Sequence, residues 1–410
     1  MPNHSSGHPE ALGPIAAGVP KSIRPPRVAK SKFAAATKPG VSETAAPPAP
    51  EFSFDLKPAE IARHLSRFVI GQREAKKVLS VALCDHFQHV RMTREGNGAP
   101  FYQKQNVLLL GPTGVGKTHL IRSAAELIGV PFVKADATKF SETGYVGGDV
   151  DDLVRDLVRR AGGNVKKAEH GIIYLDEVDK LATRGESGGR DVSGRGVQTN
   201  LLKLMEDGDV PLVSPNDMTG QLQSAMSAMR GSGTTQPETI NTRHILFFVS
   251  GAFSGVEQII KRRLAAATTV TTKVGRLSVD QTLAHIATAD LIAYGLEPEF
   301  IGRLPVRVAC HSLDSEDLFN VLRRSESSLI HQYERAFAAY GVRCEFKDDG
   351  LRRLAELAAT EHTGARGLMT ICERVFRDFK FQLPGSCVKR FAVTAKLVEA
   401  PASELRRLLR

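Results

Sequence analysis

The octapeptide Gly111-Pro112-Thr113-Gly114-Val115-Gly116-Lys117-Thr118 directly follows the apolar run Val107-Leu108-Leu109-Leu110 and leads into a segment of helical periodicity. Few segments constrain a fold so strongly. A buried strand must end, the chain must turn tightly and a helix must begin, while the glycines let successive N–H groups point at one anion. Lys117 adds a point charge and Thr118 a hydroxyl suited to Mg²⁺. The helix that starts at Lys117 aims the positive end of its dipole at the same place. The segment reads as a P-loop that holds the β- and γ-phosphates of a nucleotide, with His119 as the next residue of the same site.

Composition sets the outer bounds. With 410 residues, 42% of them hydrophobic and 24% charged, the chain can bury one large core or two moderate ones. No apolar run approaches the roughly 18 to 20 residues needed to span a bilayer, and the N-terminus has charges and prolines where a signal peptide needs an apolar block. The expected location is the cytoplasm, with no membrane partner. The five cysteines (Cys84, Cys310, Cys344, Cys372, Cys387) are scattered, odd in number and form no C-x-x-C pair, so no zinc site and no disulfide framework is expected. Residues 1–50 carry six basic and two acidic side chains, so +4 of the formal +10 lies there and +6 elsewhere. That excess is modest, Trp is absent and aromatics make up only 6%, which supplies a base-stacking platform poorly. Nucleic acid is not an expected partner.

Ten prolines and ten alanines crowd residues 1–50 without an apolar period, so 1–53 reads as a disordered, basic Pro/Ala-rich tail. Order is expected from about Phe54, with a short helix over 59–65 and a long amphipathic one over 73–91. Beyond the P-loop helix come a short apolar piece at 131–135, a helix near 150–161, a buried strand at 171–175, a helix at 197–205 and a buried strand at 244–249. Alternation of this kind, with strands too uniformly apolar for a one-sided sheet, predicts an α/β fold with a parallel sheet covered by helices on both faces. The large domain is expected over 54–308. A small, mostly helical domain follows over 309–410, with a long helix at 316–339, a strand at 342–346, two helices within 350–381 split at Thr363-Gly364, and a last strand within 388–398.

The strand at 171–175 ends in Asp176-Glu177, fifty-nine positions beyond Lys117. An Asp there can hold Mg²⁺ or its water, and an adjacent Glu can polarise the water that attacks the γ-phosphate. Together with the P-loop they indicate hydrolysis of bound nucleotide. At this point the order of motifs becomes specific: Phe68-Val69-Ile70-Gly71-Gln72, the P-loop, Gly144-Tyr145-Val146-Gly147, Leu175-Asp176-Glu177-Val178-Asp179-Lys180, Asp191-Val192-Ser193-Gly194, Gly251-Ala252-Phe253, Glu299-Phe300-Ile301-Gly302-Arg303-Leu304-Pro305 and Thr363-Gly364-Ala365-Arg366-Gly367. The chain resembles the ClpX-type AAA+ unfoldases over about residues 56–398. HslU is the nearest sister family, but it carries a long inserted domain between the nucleotide loop and the acidic pair, for which there is no room here.

The resemblance implies an ATPase working as a ring, a hexamer, that uses ATP and Mg²⁺ to unfold protein substrates and has no protease activity of its own. It implies that Arg303 is an arginine finger acting on a neighbour's γ-phosphate, that Arg366 is the sensor arginine of the small domain, that Ser250 is a first sensor and that Val69 and Ile70 pack on adenine. It makes Tyr145, with Val146 and Gly147, the pore loop that grips substrate, and 184–195 a second pore-facing loop. Three family features are missing from the sequence. The Pro/Ala tail stands in place of the four-cysteine zinc module, 214–239 lacks the Arg-Lys-His pore-entrance motif, and no Phe occurs from Ser254 to Glu299, where the Ile-Gly-Phe peptidase-docking loop belongs. Docking on a ClpP-like peptidase is thus left without its anchor, and a stand-alone remodelling ATPase is the alternative. A nucleic-acid motor on the same core is a further alternative, but no DNA-binding appendage is recognisable.

Overall fold

The structure, a computed structural model, describes residues 53–99, 101–140, 148–182, 192–213, 239–267 and 277–410. The expectations for the N-terminal tail, the Tyr145 loop, the segment 183–191, the Ser/Met-rich stretch 214–238 and the loop 268–276 lie outside these residues. Phe52–Arg410 form one compact unit.

The strands are β1 (Val107–Leu110), β2 (Phe132–Asp136), β3 (Ile172–Asp176), the short β4 (Asp209–Pro211) and β5 (Thr239–Asn241), β6 (Leu246–Gly251), β7 (Val306–Ala309), and later β8 (Arg343–Phe346) and β9 (Arg390–Val393), of which β1, β3 and β6 follow the apolar runs of the sequence. Five of them form one sheet in the order β2-β3-β6-β1-β7. Every pairing in it is parallel, with Val107 opposite Phe248 and Val306, and Ile173 opposite Val133 and Phe247. Alternate side chains leave each strand for opposite faces. Leu108, Leu110, Ile173, Leu175, Phe247 and Val249 enter one core. Val107, Leu109, Ile172, Tyr174, Leu246 and Phe248 enter a second, built against Pro58–Phe68, Arg73–Arg94 and Lys117–Ile128. A sheet buried on both faces explains why these strands read as unbroken apolar runs.

A third cluster is drawn from residues 318–405 alone, centred on Phe337, Phe376 and Phe379. Its helices include Ser315–Arg324, Leu329–Ala338, Asp348–Thr360 and Ala365–Gln382, with β8 and β9 forming a parallel pair. The single helix expected over 316–339 is in fact two. The break at Ser325 to Ser328 has a tertiary cause: Ser325 Oγ donates to Phe68 O at 2.6 Å, and Glu326 N donates to Arg67 O at 2.9 Å. Arg67 also grips Glu326 through two side-chain bonds of 2.6 and 2.9 Å. These bonds hook the C-terminal region onto the segment just before Val69.

At the amino ends of β3 and β6 a group of histidines is packed out of water. His86 is fully buried, and its Nε2 lies 2.9 Å from His244 O, which fixes Nε2 as the protonated nitrogen. His89 stacks on Tyr102 with ring centroids 3.6 Å apart, and His170 lies 6.0 Å from His244. Burial pushes His86 down to about 3 and His170 and His244 to about 4. The unfolded chain takes up these protons near pH 6.5 while the folded chain does not, so stability is expected to fall as the pH drops below about 6.5. The limit is about 1.4 kcal/mol per pH unit for each fully buried histidine. Thermal melts at pH 7.5 and 5.5 should show a clear loss in Tm, and His170→Asn should shrink that difference; an unchanged difference would remove His170 from the effect.

Candidate nucleotide site

The carboxyl ends of β1, β3 and β6 converge on one cavity of about 770 Å³. This is where open parallel sheets bind ligands, and the size suits a nucleotide. Thr113 to His119 line it, with Asp176, Glu177, Val69, Ile70 and Arg366. Gly111 and Pro112 lie behind the loop rather than on the cavity wall. Gly114 has φ +74°, and a Cβ there would stand 2.2 Å from Thr363 O, so only glycine fits. The same close approach brings Ala365 N within 2.9 Å of Gly114 O, a direct main-chain bond between the P-loop and the segment that carries Arg366.

Lys117 is 8% exposed and donates to Gly111 O at 2.6 Å and to Pro112 O at 2.8 Å. Burial lowers its pKa, yet its direct partners are carbonyls and not a carboxylate, which leaves its charge for a phosphate. Glu177 has φ +60°, an uncommon conformation for a side chain other than glycine, and sits immediately after β3 at the cavity wall.

Hydroxyl groups join the strand ends in one directed chain. Ser250 Oγ donates to Asp176 Oδ1 at 2.6 Å, so Tyr174 OH, 2.7 Å away, must donate to Ser250; Thr118 Oγ1 in turn donates to Tyr174 OH at 3.2 Å. Thr118 thus spends its proton on Tyr174 and keeps its lone pairs for a cation. Lys134 Nζ lies 3.2 Å from Asp176 Oδ2. Burial alone would raise the Asp176 pKa, but the Ser250 hydroxyl and the Lys134 ammonium hold it below the usual carboxylate range. Thr118 and Asp176 therefore offer the oxygen donors that Mg²⁺ needs. Among the described residues no group of three or more His, Cys, Asp or Glu side chains is placed to hold a metal.

The apolar half of the cavity is made by Phe68, Val69 and Ile70 on one side and Leu313, Leu329 and Met369 on the other. His119 bonds Ser327 at 2.9 Å and meets the Phe68 ring edge-on at 6.0 Å, tying the P-loop helix to the C-terminal region. The sequence reading missed Lys134 and Tyr174, because each sits in a segment that reads as a plain strand. Ser250 does not line the cavity and reaches it only through Asp176 and Tyr174. Arg303 is not at this cavity: it lies just before β7, at the other end of the sheet, where it pairs with Glu206 at 2.5 Å and borders a second cavity with Lys104, Asn106 and Arg243. Tyr145, Val146 and Gly147 fall outside the described residues.

Removing the ammonium partner of Asp176 should raise its pKa. For Lys134→Ala the acid limb of the ATP turnover profile is expected to move to higher pH, and to move less at high salt because the pair is partly exposed. A profile that superimposes on that of the unsubstituted protein would show that Lys134 does not tune Asp176.

Residues 102–307, which include the P-loop, the acidic pair and Arg303, match the family AAA domain (Cdc48 subfamily). A protein of Borrelia duttonii named ATP-dependent Clp protease ATP-binding subunit ClpX is 40% identical over 344 residues, covering 82% of this chain and 77% of that protein, and its namesake in Borrelia recurrentis matches equally. The ATP-dependent Clp protease ATP-binding subunit ClpX 3 of Methylococcus capsulatus is 38% identical over 362 residues, covering 84% of this chain and 81% of its own length. With that similarity across most of both chains, and an AAA domain over the residues that carry the P-loop and the acidic pair, the chain belongs to the ClpX family of AAA+ ATPases.

Proposed function

We propose that this protein is an ATP-dependent protein unfoldase, assembled as a hexameric ring in the cytoplasm, that draws polypeptides through a central pore. The observation that carries this reading is the joining of the P-loop to the C-terminal lid by the Ala365–Gly114 main-chain bond, because it makes the lid a direct reporter of what the loop holds. Thr118 and Asp176 would hold Mg²⁺, which when bound would neutralise phosphate charge. Lys117 and the P-loop N–H groups fix the phosphates, and the Glu177 carboxylate takes the proton of the attacking water. Val69 and Ile70 form the wall for the adenine ring. Arg366 enters the cavity from the lid and answers the γ-phosphate, so hydrolysis loosens the lid and turns one domain against the next.

Arg303 cannot serve the cavity of its own chain from the far end of the sheet. Its role as a finger for the neighbouring subunit fits that position. Tyr145, flanked by glycines, is assigned to gripping substrate. The names of the relatives support a role as the ATP-binding subunit of a Clp-type protease, and the absence of Phe from Ser254 to Glu299 favours a stand-alone remodeller instead.

Glu177→Gln should bind ATP with unchanged affinity and lose turnover by at least about a hundredfold; full turnover would remove Glu177 from its role. Tyr145→Ala should hydrolyse ATP within about threefold of normal yet fail to unfold a tagged fluorescent protein, and intact unfolding would remove the pore assignment. Capture with the Glu177→Gln ring then separates the two partner readings by whether peptidase subunits are retained.

A further inference from the structure

We infer that Glu206 is a positioning residue for Arg303, holding the guanidinium in the plane in which it meets the neighbouring subunit's nucleotide; this rests on the finger role proposed above. Glu206 follows the helix Val192–Met205, and its Oε1 accepts from Arg303 Nη2 at 2.5 Å. A guanidinium is a rigid planar fork, so a bond from Nη2 to the Glu206 carboxylate restricts its orientation and leaves its other N–H groups for a phosphate.

Both partners stand on fixed main chain. Thr242 Oγ1 donates to Glu206 O at 2.9 Å, and Lys104 Nζ reaches Glu206 O at 3.4 Å and Thr242 O at 2.7 Å. Asn106, only 1% exposed, donates from Nδ2 to Arg303 O at 3.1 Å and accepts from Phe247 N at 3.2 Å. Lys104 and Asn106 immediately precede β1, so the strand that carries the P-loop at its carboxyl end carries the frame of Arg303 at its amino end. The helix that delivers Glu206 also grips the short helix before Arg303: Gln198 Oε1 accepts from Glu297 N at 2.9 Å, and Arg195 pairs with Glu297 at 3.1 Å. Such a frame suits preorganisation, in which the ordering of a long side chain is complete before the reaction begins.

The side chains of Arg303 and Glu206 are 48% and 41% exposed, so their pairing adds little to folding stability and its removal should be visible in catalysis alone. Steady-state ATP hydrolysis by the full chain is measured for Glu206→Ala, Glu206→Gln, Arg303→Ala and the double variant Glu206→Ala/Arg303→Ala, with ring mass and Tm followed in parallel. Glu206→Ala should lower kcat about tenfold with KM for ATP within about twofold, and Glu206→Gln, which keeps an oxygen acceptor in place, should recover most of that loss. Arg303→Ala should lower kcat by about a thousandfold or more. In single-turnover reactions the double variant should match Arg303→Ala, since Glu206 acts only through Arg303. Full turnover in Glu206→Ala, or a further loss when it is added to Arg303→Ala, overturns the proposal while leaving the finger intact. Normal turnover in Arg303→Ala overturns the finger assignment and the proposal together.

Discussion

Everything else in this molecule depends on β1 lying between β6 and β7. Paired in parallel on both edges and buried on both faces, it has no freedom to slip, because a shift of one residue would exchange the two cores that its alternate leucines enter. Its carboxyl end delivers the P-loop. The same register sets Leu109 beside Ser250 and Leu110 beside Gly251, and so brings the β6 end to the nucleotide loop. Asn106 at its other end clamps β6 to the main chain of Arg303. A strand of four residues spans only about 13 Å, so the P-loop and the frame around Arg303 are separated by one rigid element with little room for slack.

The electrostatics of the cavity follow from where cations find their partners. Lys134 is committed to Asp176, whereas Lys117 rests on two carbonyl oxygens. A carbonyl orients an ammonium without cancelling its charge, so Lys117 is left a buried, oriented cation. The hydroxyl chain from Thr118 through Tyr174 and Ser250 ends on a carboxylate that stays ionised, which gives every proton in it one direction. Three segments far apart in sequence thereby share a single polar network.

The sheet and the P-loop were legible in the sequence because a strand buried on both faces leaves an unbroken apolar run, and a phosphate loop leaves fixed glycines. The cavity wall formed by Val69, Ile70 and Arg366 came from motif order rather than from local physics, since nothing in an isolated arginine distinguishes a cavity residue from a surface ion pair. Lys134 and Tyr174 were not legible for a related reason: in a strand the residue type tells which face is polar, but not which hydroxyl lies opposite. The break between Arg324 and Leu329 was hidden because the helical period continues through it. Ser325 satisfies the main-chain carbonyl of Phe68 on a distant segment while Ser328 caps the helix that follows, and that competition with a continuous helix is settled only when the chain has folded.

Gly114 and Gly364 face each other across a gap with no room for a side chain from either direction. A Cβ on Gly364 would stand 2.8 Å from Gly114 O, and one on Gly114 would stand closer still to Thr363 O. Both obstructions are main chain, so no partner side chain can shrink to accommodate a larger residue. Loop and lid are therefore bound to a shared evolutionary fate: neither can drift in length or composition here without the other's backbone moving with it, and grafting a lid from a relative will succeed only when its backbone path at this crossing is the same.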